Sequence, residues 1–356
     1  MDREPAAEER IAPVKREYTA YPRQFQSWRW YKPIFVLLLF AAFYLAFSVV
    51  AVLAGGGLSG NLLEYVYGLA GGYDTMDVFT ASGVTGALGS VAVMLPALAL
   101  AGLIVKDRPW SSYSSCRGGW RWSVFGVCLA VGFVVYALPS VVACLLEGDP
   151  GPVRFTAGGL ILLTILGPLQ CTAEEYAFRG LIMQSVGSWF RLPVLAIVLQ
   201  TAAFAAGHPY NLAGVISIAV SGLAFGTAAW LTGGLEASSA MHIMNNMAAF
   251  YLTGFGLAEI GSDITTGGLL MSVGIDAAGL LVLLILKRKT RLFDRTQRDD
   301  IAPFDAKRRK RKERKGSSLE LRQDAELVKE FRPVPAAETE REDPTEKETE
   351  HDGQSI

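Results

Sequence analysis

Charge is scarce where most of the chain lies: residues 33–286 hold only seven basic and 12 acidic side chains in 254 positions. A soluble globule keeps far more charge on its surface, so a cytosolic domain of one or two ordinary cores is excluded. Cysteine is equally sparse. Cys116, Cys128, Cys144 and Cys171 form no CxxC pair and no metal-ligand spacing, which rules out a disulfide frame and a zinc knuckle. Of the three histidines, His351 lies in a charged tail, leaving His208 and His242. Ile243 follows His242, so the HExxH signature of the common soluble zinc peptidases is missing. No repeat of 20 to 50 residues is visible, which lends nothing to a solenoid or a duplicated transporter.

What the chain does have is apolar length, with 51% hydrophobic residues and a mean hydropathy of +0.30. Continuous apolar runs, not alternating ones, predict spanning helices rather than barrel strands, because lipid leaves backbone groups nothing else to bond. The pattern predicts an all-α polytopic membrane bundle of about eight helices. Five stretches, 33 to 53, 82 to 105, 122 to 146, 212 to 232 and 267 to 286, are regular and near the ~20 residues a span needs. Three are irregular: 156 to 173 runs into a charged cluster, 192 to 206 is short, and 235 to 253 carries His242 with two asparagines.

An even number of spans puts both ends on one side, and the basic residues agree. Residues 1–32, the 106 to 121 loop, Arg179 with Arg191, and the stretch after Lys287 hold nearly all of them, against Arg154 alone in the intervening loops. The positive-inside rule therefore predicts cytoplasmic termini. All seven tryptophans, Trp28, Trp30, Trp110, Trp120, Trp122, Trp189 and Trp230, fall at or near the same borders, where amphipathic rings favour headgroups. The run at 33 to 53 is longer than a signal-peptide h-region and has 32 residues before it, so it reads as a span and not a cleaved signal. Residues 287–315 carry 14 basic against five acidic side chains and should lie on anionic lipid headgroups; no nucleic-acid partner is expected. Residues 316–356 reverse to five basic and 12 acidic, a composition too poor in apolar groups to fold alone, hence a disordered tail.

Between Thr156 and Phe190 the charged residues are Glu174, Glu175 and Arg179. A charge at membrane depth costs at least ~2.5 to 3.5 kcal/mol, so the three need partners or a watery cavity. Glu175 and Arg179 have i, i+4 spacing with the carboxylate first, the favourable order for an ion pair. Glu174, roughly 100° around the helix, has no sequence-local counter-ion, which suits a general base that takes a proton from water. His242 and Asn246 share one helix face four positions apart, while Asn245 points elsewhere and reads as a helix-packing amide. A carboxylate, two imidazoles and an amide on three helices can activate water and stabilise an oxyanion, or can include metal ligands. Asp276 reads equally as a functional acid or a packing group, Glu236 as a first-turn carboxylate facing the helix dipole, and Gly222, Gly226 and Ala229 as close-packing positions.

At these residues the chain resembles the CPBP intramembrane proteases, the family of CAAX prenyl endopeptidases and bacteriocin-processing (Abi) proteins. Its EExxxR motif is matched by Glu174, Glu175 and Arg179, its FxxxH by Phe204 and His208, and its HxxxN by His242 and Asn246, in that order. The resemblance covers about residues 155–255. It implies an endopeptidase of membrane-associated protein or peptide substrates, prenylated CAAX-like or leader-bearing. Glu174 would activate water with help from His208, and His242 and Asn246 would hold the oxyanion. It leaves open whether a metal takes part. Use of Glu174 as a zinc ligand beside His208 and His242 would leave no obvious base, so a metal-free mechanism is preferred and zinc is the alternative. The rival readings are a catalytically silent scaffold or immunity protein of the same fold and, further off, a transporter. Counted as simple spans, Glu174 falls near the cytoplasmic end of one helix and His208 near the outer end of the next, unless a long helix with Pro168 carries Glu174 to mid-membrane.

Overall fold

The computed structural model describes residues 17–25, 27–70, 77–147, 150–208, 210–259 and 264–295. The expected disordered tail and most of the basic segment lie outside them. Nine main helices follow one another: α1 Lys32–Ser59, α2 Leu62–Ala70, α3 Ala81–Val105, α4 Trp122–Leu146, α5 Ala157–Phe190, α6 Pro193–Ala206, α7 Leu212–Thr232, α8 Glu236–Gly254 and α9 Thr266–Lys289. Among the described residues there is no strand, only an isolated bridge between Ser115 and Gly234.

Helix boundaries follow local chemistry. Thr80, Thr156, Asn211 and Thr265 each cap a helix by accepting the backbone N–H of a glycine three residues on, at 2.8 to 3.1 Å. At one of these, Gly159, a Cβ would strike the carbonyl of Phe79, and Thr156 N–H bonds that same carbonyl at 3.2 Å. Pro33 and Pro193 open α1 and α6, where a missing N–H costs nothing.

Six helices, α1, α3, α4, α5, α7 and α9, are long and apolar enough to cross a membrane. The remaining two of the eight predicted stretches are helical but different in kind: α6 has 14 residues, and α8 has a polar face. The bundle is polar within and apolar without. Leu38, Leu53, Leu103 and Leu146 are more than half exposed, whereas Gln170, Glu175, Arg179, Gln200, Glu236 and Asp276 are buried. That inversion fits a lipid surround.

The basic loops gather at one end. Tyr18 donates to the Tyr113 carbonyl (2.8 Å), Trp189 to that of Trp30 (2.7 Å), and Cys116 N–H to that of Gly233 (3.0 Å). Arg121 closes this end. It makes a buried ion pair with Glu236 (2.8 Å) and donates to the carbonyls of Thr232 and Phe293. Glu236 does sit in the first turn of α8, but its partner is Arg121 rather than the helix dipole alone. Burial opposes the charge on Arg121, and the hydrogen bond and charge of Glu236 more than offset it, holding the guanidinium above its usual pKa.

Candidate active site

The span expected to end at residue 173 continues. α5 runs 34 residues through Pro168, with a π-helical stretch over Glu175–Met183; such wide turns recur at functional sites. Glu174 stands 17 residues from Ala157 and 16 from Phe190, hence roughly 25 Å from either end at about 1.5 Å per residue. After the left-handed turn at Arg191, α6 climbs back alongside, and its 14 residues span about 20 Å. The length of α5 and the brevity of α6 together remove the depth mismatch between Glu174 and His208.

Three helices supply the core of the site. Glu175 Oε1 accepts Arg179 Nη1 at 3.0 Å, and His242 Nδ1 lies 3.0 Å from the same oxygen. The opposite ring nitrogen, Nε2, is 3.4 Å from Glu174 Oε2 and 3.3 Å from Asn246 Nδ2. Glu174 is not left alone, as its sequence position suggested: Gln170 Nε2 donates to its Oε2 at 2.6 Å. Gln170 is a residue that sequence reasoning missed, although its i, i+4 spacing to Glu174 was the available signal. Glu174, Glu175, Arg179 and His242 are all buried, and Asn246 is half-buried. Asn245 does not bond across helices; it is exposed and donates to Asn246 Oδ1 at 3.1 Å.

His208 is half-buried at the end of α6. Its Nδ1 lies 2.8 Å from the Phe204 carbonyl, and since a carbonyl only accepts, Nδ1 carries the proton and Nε2 is the free acceptor. His208 is within electrostatic reach of Glu174, as is Tyr210, whose ring stacks near His208 at 6.1 Å. The FxxxH spacing thus has two uses. Phe204 also lies under the Arg179 guanidinium, 4.5 Å from its centroid, and Phe225 stacks on His242 at 5.2 Å. Gly222, on α7, accepts both Arg179 Nη2 (3.3 Å) and Gln200 Nε2 (2.9 Å) through its carbonyl. A Cβ at Gly226 would come within 2.6 Å of Gln200, in keeping with close helix packing there. Asp276 joins no part of this set directly. It accepts Tyr136 Oη (2.9 Å) and Ser221 Oγ (2.7 Å) in a helix-bridging cluster.

The alternative ligand set is Glu174, His208 and His242. Among the described residues no three His, Cys, Asp or Glu side chains stand together as a preformed metal site.

A bundle of apolar helices enclosing a buried carboxylate and imidazole with a half-buried amide fits an integral membrane protein. Residues 156–248 match the family model described as Rce1-like, type II CAAX prenyl endopeptidase. The matched stretch is about a quarter of the chain and contains all three motifs. No curated protein and no solved structure matched the chain.

Proposed function

We propose that the protein is an intramembrane endopeptidase in which Glu174 activates water for hydrolysis of a peptide bond in a membrane-associated substrate. The observation that carries this reading is the approach of Glu174, Asn246 and the Glu175–Arg179 pair to the two nitrogens of one buried ring, His242. Glu174 takes a proton from water as the water oxygen attacks the scissile carbonyl carbon. The carbonyl oxygen becomes the oxyanion, to which Asn246 Nδ2–H donates and to which His242 donates in the ring form that carries a proton on Nε2 as well as Nδ1. When the C–N bond breaks, Glu174 returns its proton to the departing amine. Glu175 Oε1 positions the ring by accepting at Nδ1, while Arg179 donates to that same oxygen and holds it in place, which leaves Nε2 for the reaction. His208 Nε2, the free acceptor, orients the attacking water.

An apolar groove of about 660 Å³ beside α8, lined by Thr164, Pro168, Ile243, Met244, Met247 and Tyr251, supports a substrate that arrives from the lipid phase. Proteolysis profiling of membranes from cells carrying wild type or Glu174→Ala is the test. Substrates should accumulate uncut in the variant, with a rate loss of about 10² to 10⁴ on any purified one. Identical profiles at equal protein abundance would favour the silent scaffold.

A further inference from the structure

Away from this centre, a cavity of about 380 Å³ opens where α3 ends. Its walls are Ala99, Gly102 and Leu103 of α3 with Trp110 and Tyr113 of the following loop, and its rim carries Lys106 and Arg108. Leu103 is 68% exposed on the outer face of a membrane-length helix, so the apolar wall faces lipid. The rim begins at the first polar residue beyond it. This is the depth at which hydrocarbon gives way to headgroups.

The charges at the rim are unequal. Asp107 and Arg108 are both buried and form one pair at 3.6 Å. Arg108 is further occupied by the Gly180 carbonyl (2.8 Å) and by the Tyr113 ring (3.8 Å to its centroid), and Asp107 accepts Tyr113 Oη at 3.1 Å. Lys106 is in excess: its side chain is exposed and has no hydrogen bond or ion pair among the described residues. A second ammonium joins it, because Lys32 Nζ bonds the Lys106 carbonyl at 3.1 Å. Lys106 also holds a left-handed backbone, φ 51°, at the C-cap of α3, where glycine would be the unstrained choice. A lysine kept in a conformation that disfavours it points to a use for its side chain.

We propose that this cavity binds an anionic phospholipid, with an acyl chain along Ala99, Gly102 and Leu103 and the phosphate on Lys106 and Lys32. An apolar slot ending in uncompensated cations matches that amphiphile. A soluble anion would leave the slot empty, and a zwitterionic lipid would bring its own headgroup cation beside the two ammonium groups. The site uses none of the residues of the basic segment after Lys287. It touches α5 through the Arg108 bond to Gly180, inside the π-helical stretch that holds Glu175 and Arg179.

The test uses the purified full chain in detergent, titrated with phosphatidylglycerol or phosphatidylcholine and read by native mass spectrometry. Phosphatidylglycerol should occupy one tight site, and phosphatidylcholine should not. Lys106→Gly relieves the backbone and removes one charge, so it should keep the lipid-free melting temperature while weakening that site about fivefold. The nearest atoms a Cβ at Gly102 would meet belong to Tyr113, its hydroxyl at 3.6 Å and its ring at 3.8 Å, an ordinary contact distance, so Gly102→Leu should fold, fill the slot and lose the lipid. Equal binding of the two lipids, unchanged binding in either variant, or displacement by glycerol phosphate alone would overturn the proposal.

Discussion

Glu175 Oε1 lies 3.0 Å from His242 Nδ1 and accepts Arg179 Nη1 at the same distance. One carboxylate oxygen thus joins an intrahelical ion pair to an imidazole on another helix. The second glutamate of the EExxxR motif aims the ring, while the first faces the ring's other nitrogen. Side by side in sequence, the two carboxylates serve opposite edges of one histidine.

Removing either partner of the pair should therefore differ from removing the base. Arg179→Ala leaves Glu175 buried and uncompensated, a loss of about 3 to 5 kcal/mol, and should lower the folded protein recovered from membranes. Glu174→Gln keeps the Gln170 contact region neutral and packed, so abundance should hold while turnover falls. Quantitative size-exclusion of fluorescent fusions alongside a cleavage assay checks this. Equal abundance and equal activity in the two variants would falsify the division of roles.

How far the sequence foretold this arrangement depends on where each partner lies. Glu175 with Arg179, and His242 with Asn246, are legible because both members stand on one helix at i, i+4. Gln170 obeys the same rule with Glu174, yet an amide before a charged cluster resembles ordinary helix polarity. The link from Arg121 to Glu236 spans 115 positions and that from Tyr136 to Asp276 spans 140, so no local spacing announces them. The continuation of α5 past its charges is legible in the sequence only as an alternative to a span ending at residue 173, for a related reason. Hydropathy falls at Glu174, Glu175 and Arg179, and only their burial against α7 and α8 lets the helix continue.

The clasp at the basic end yields a second prediction. Arg121 binds Glu236, Thr232 and Phe293 at once, joining the start of α4, the α7–α8 turn and the residues after α9. Arg121→Ala should strip Glu236 of its counter-charge and destabilise the protein by about 3 to 5 kcal/mol. The double variant Arg121→Met, Glu236→Leu should recover much of that loss, since an apolar pair carries no desolvation cost. Thermal unfolding in detergent measures both, and a double variant no better than the single one would point to the carbonyl contacts instead.

We further expect both termini on the cytoplasmic side. Residues 17–25, 27–31, 106–121, 184–191 and 289–295, which hold ten of the 15 basic side chains among the described residues, are tied together at one end by the Tyr18, Trp189 and Arg121 bonds, and the positive-inside rule assigns such an end to the cytoplasm. Reporter fusions at each terminus decide it. Activity of a periplasmic or extracellular reporter at either end would reverse the orientation.

Metal dependence turns on which ring nitrogens are free. His242 Nδ1 is taken by Glu175 and its Nε2 faces Glu174 and Asn246, while His208 Nδ1 is taken by the Phe204 carbonyl. A zinc ion needs three protein ligands and an open position for water. Here it would have to use His242 Nε2, His208 Nε2 and Glu174, and in doing so would consume the one carboxylate able to act as base, since Glu175 is held by Arg179. Direct activation of water by Glu174 leaves every one of these contacts in use. Purified protein should then retain its cleavage rate after exhaustive chelation. Loss of activity on chelation, recovery at one equivalent of zinc, and matching metal content by elemental analysis would together make His208 and His242 ligands and Glu174 the third.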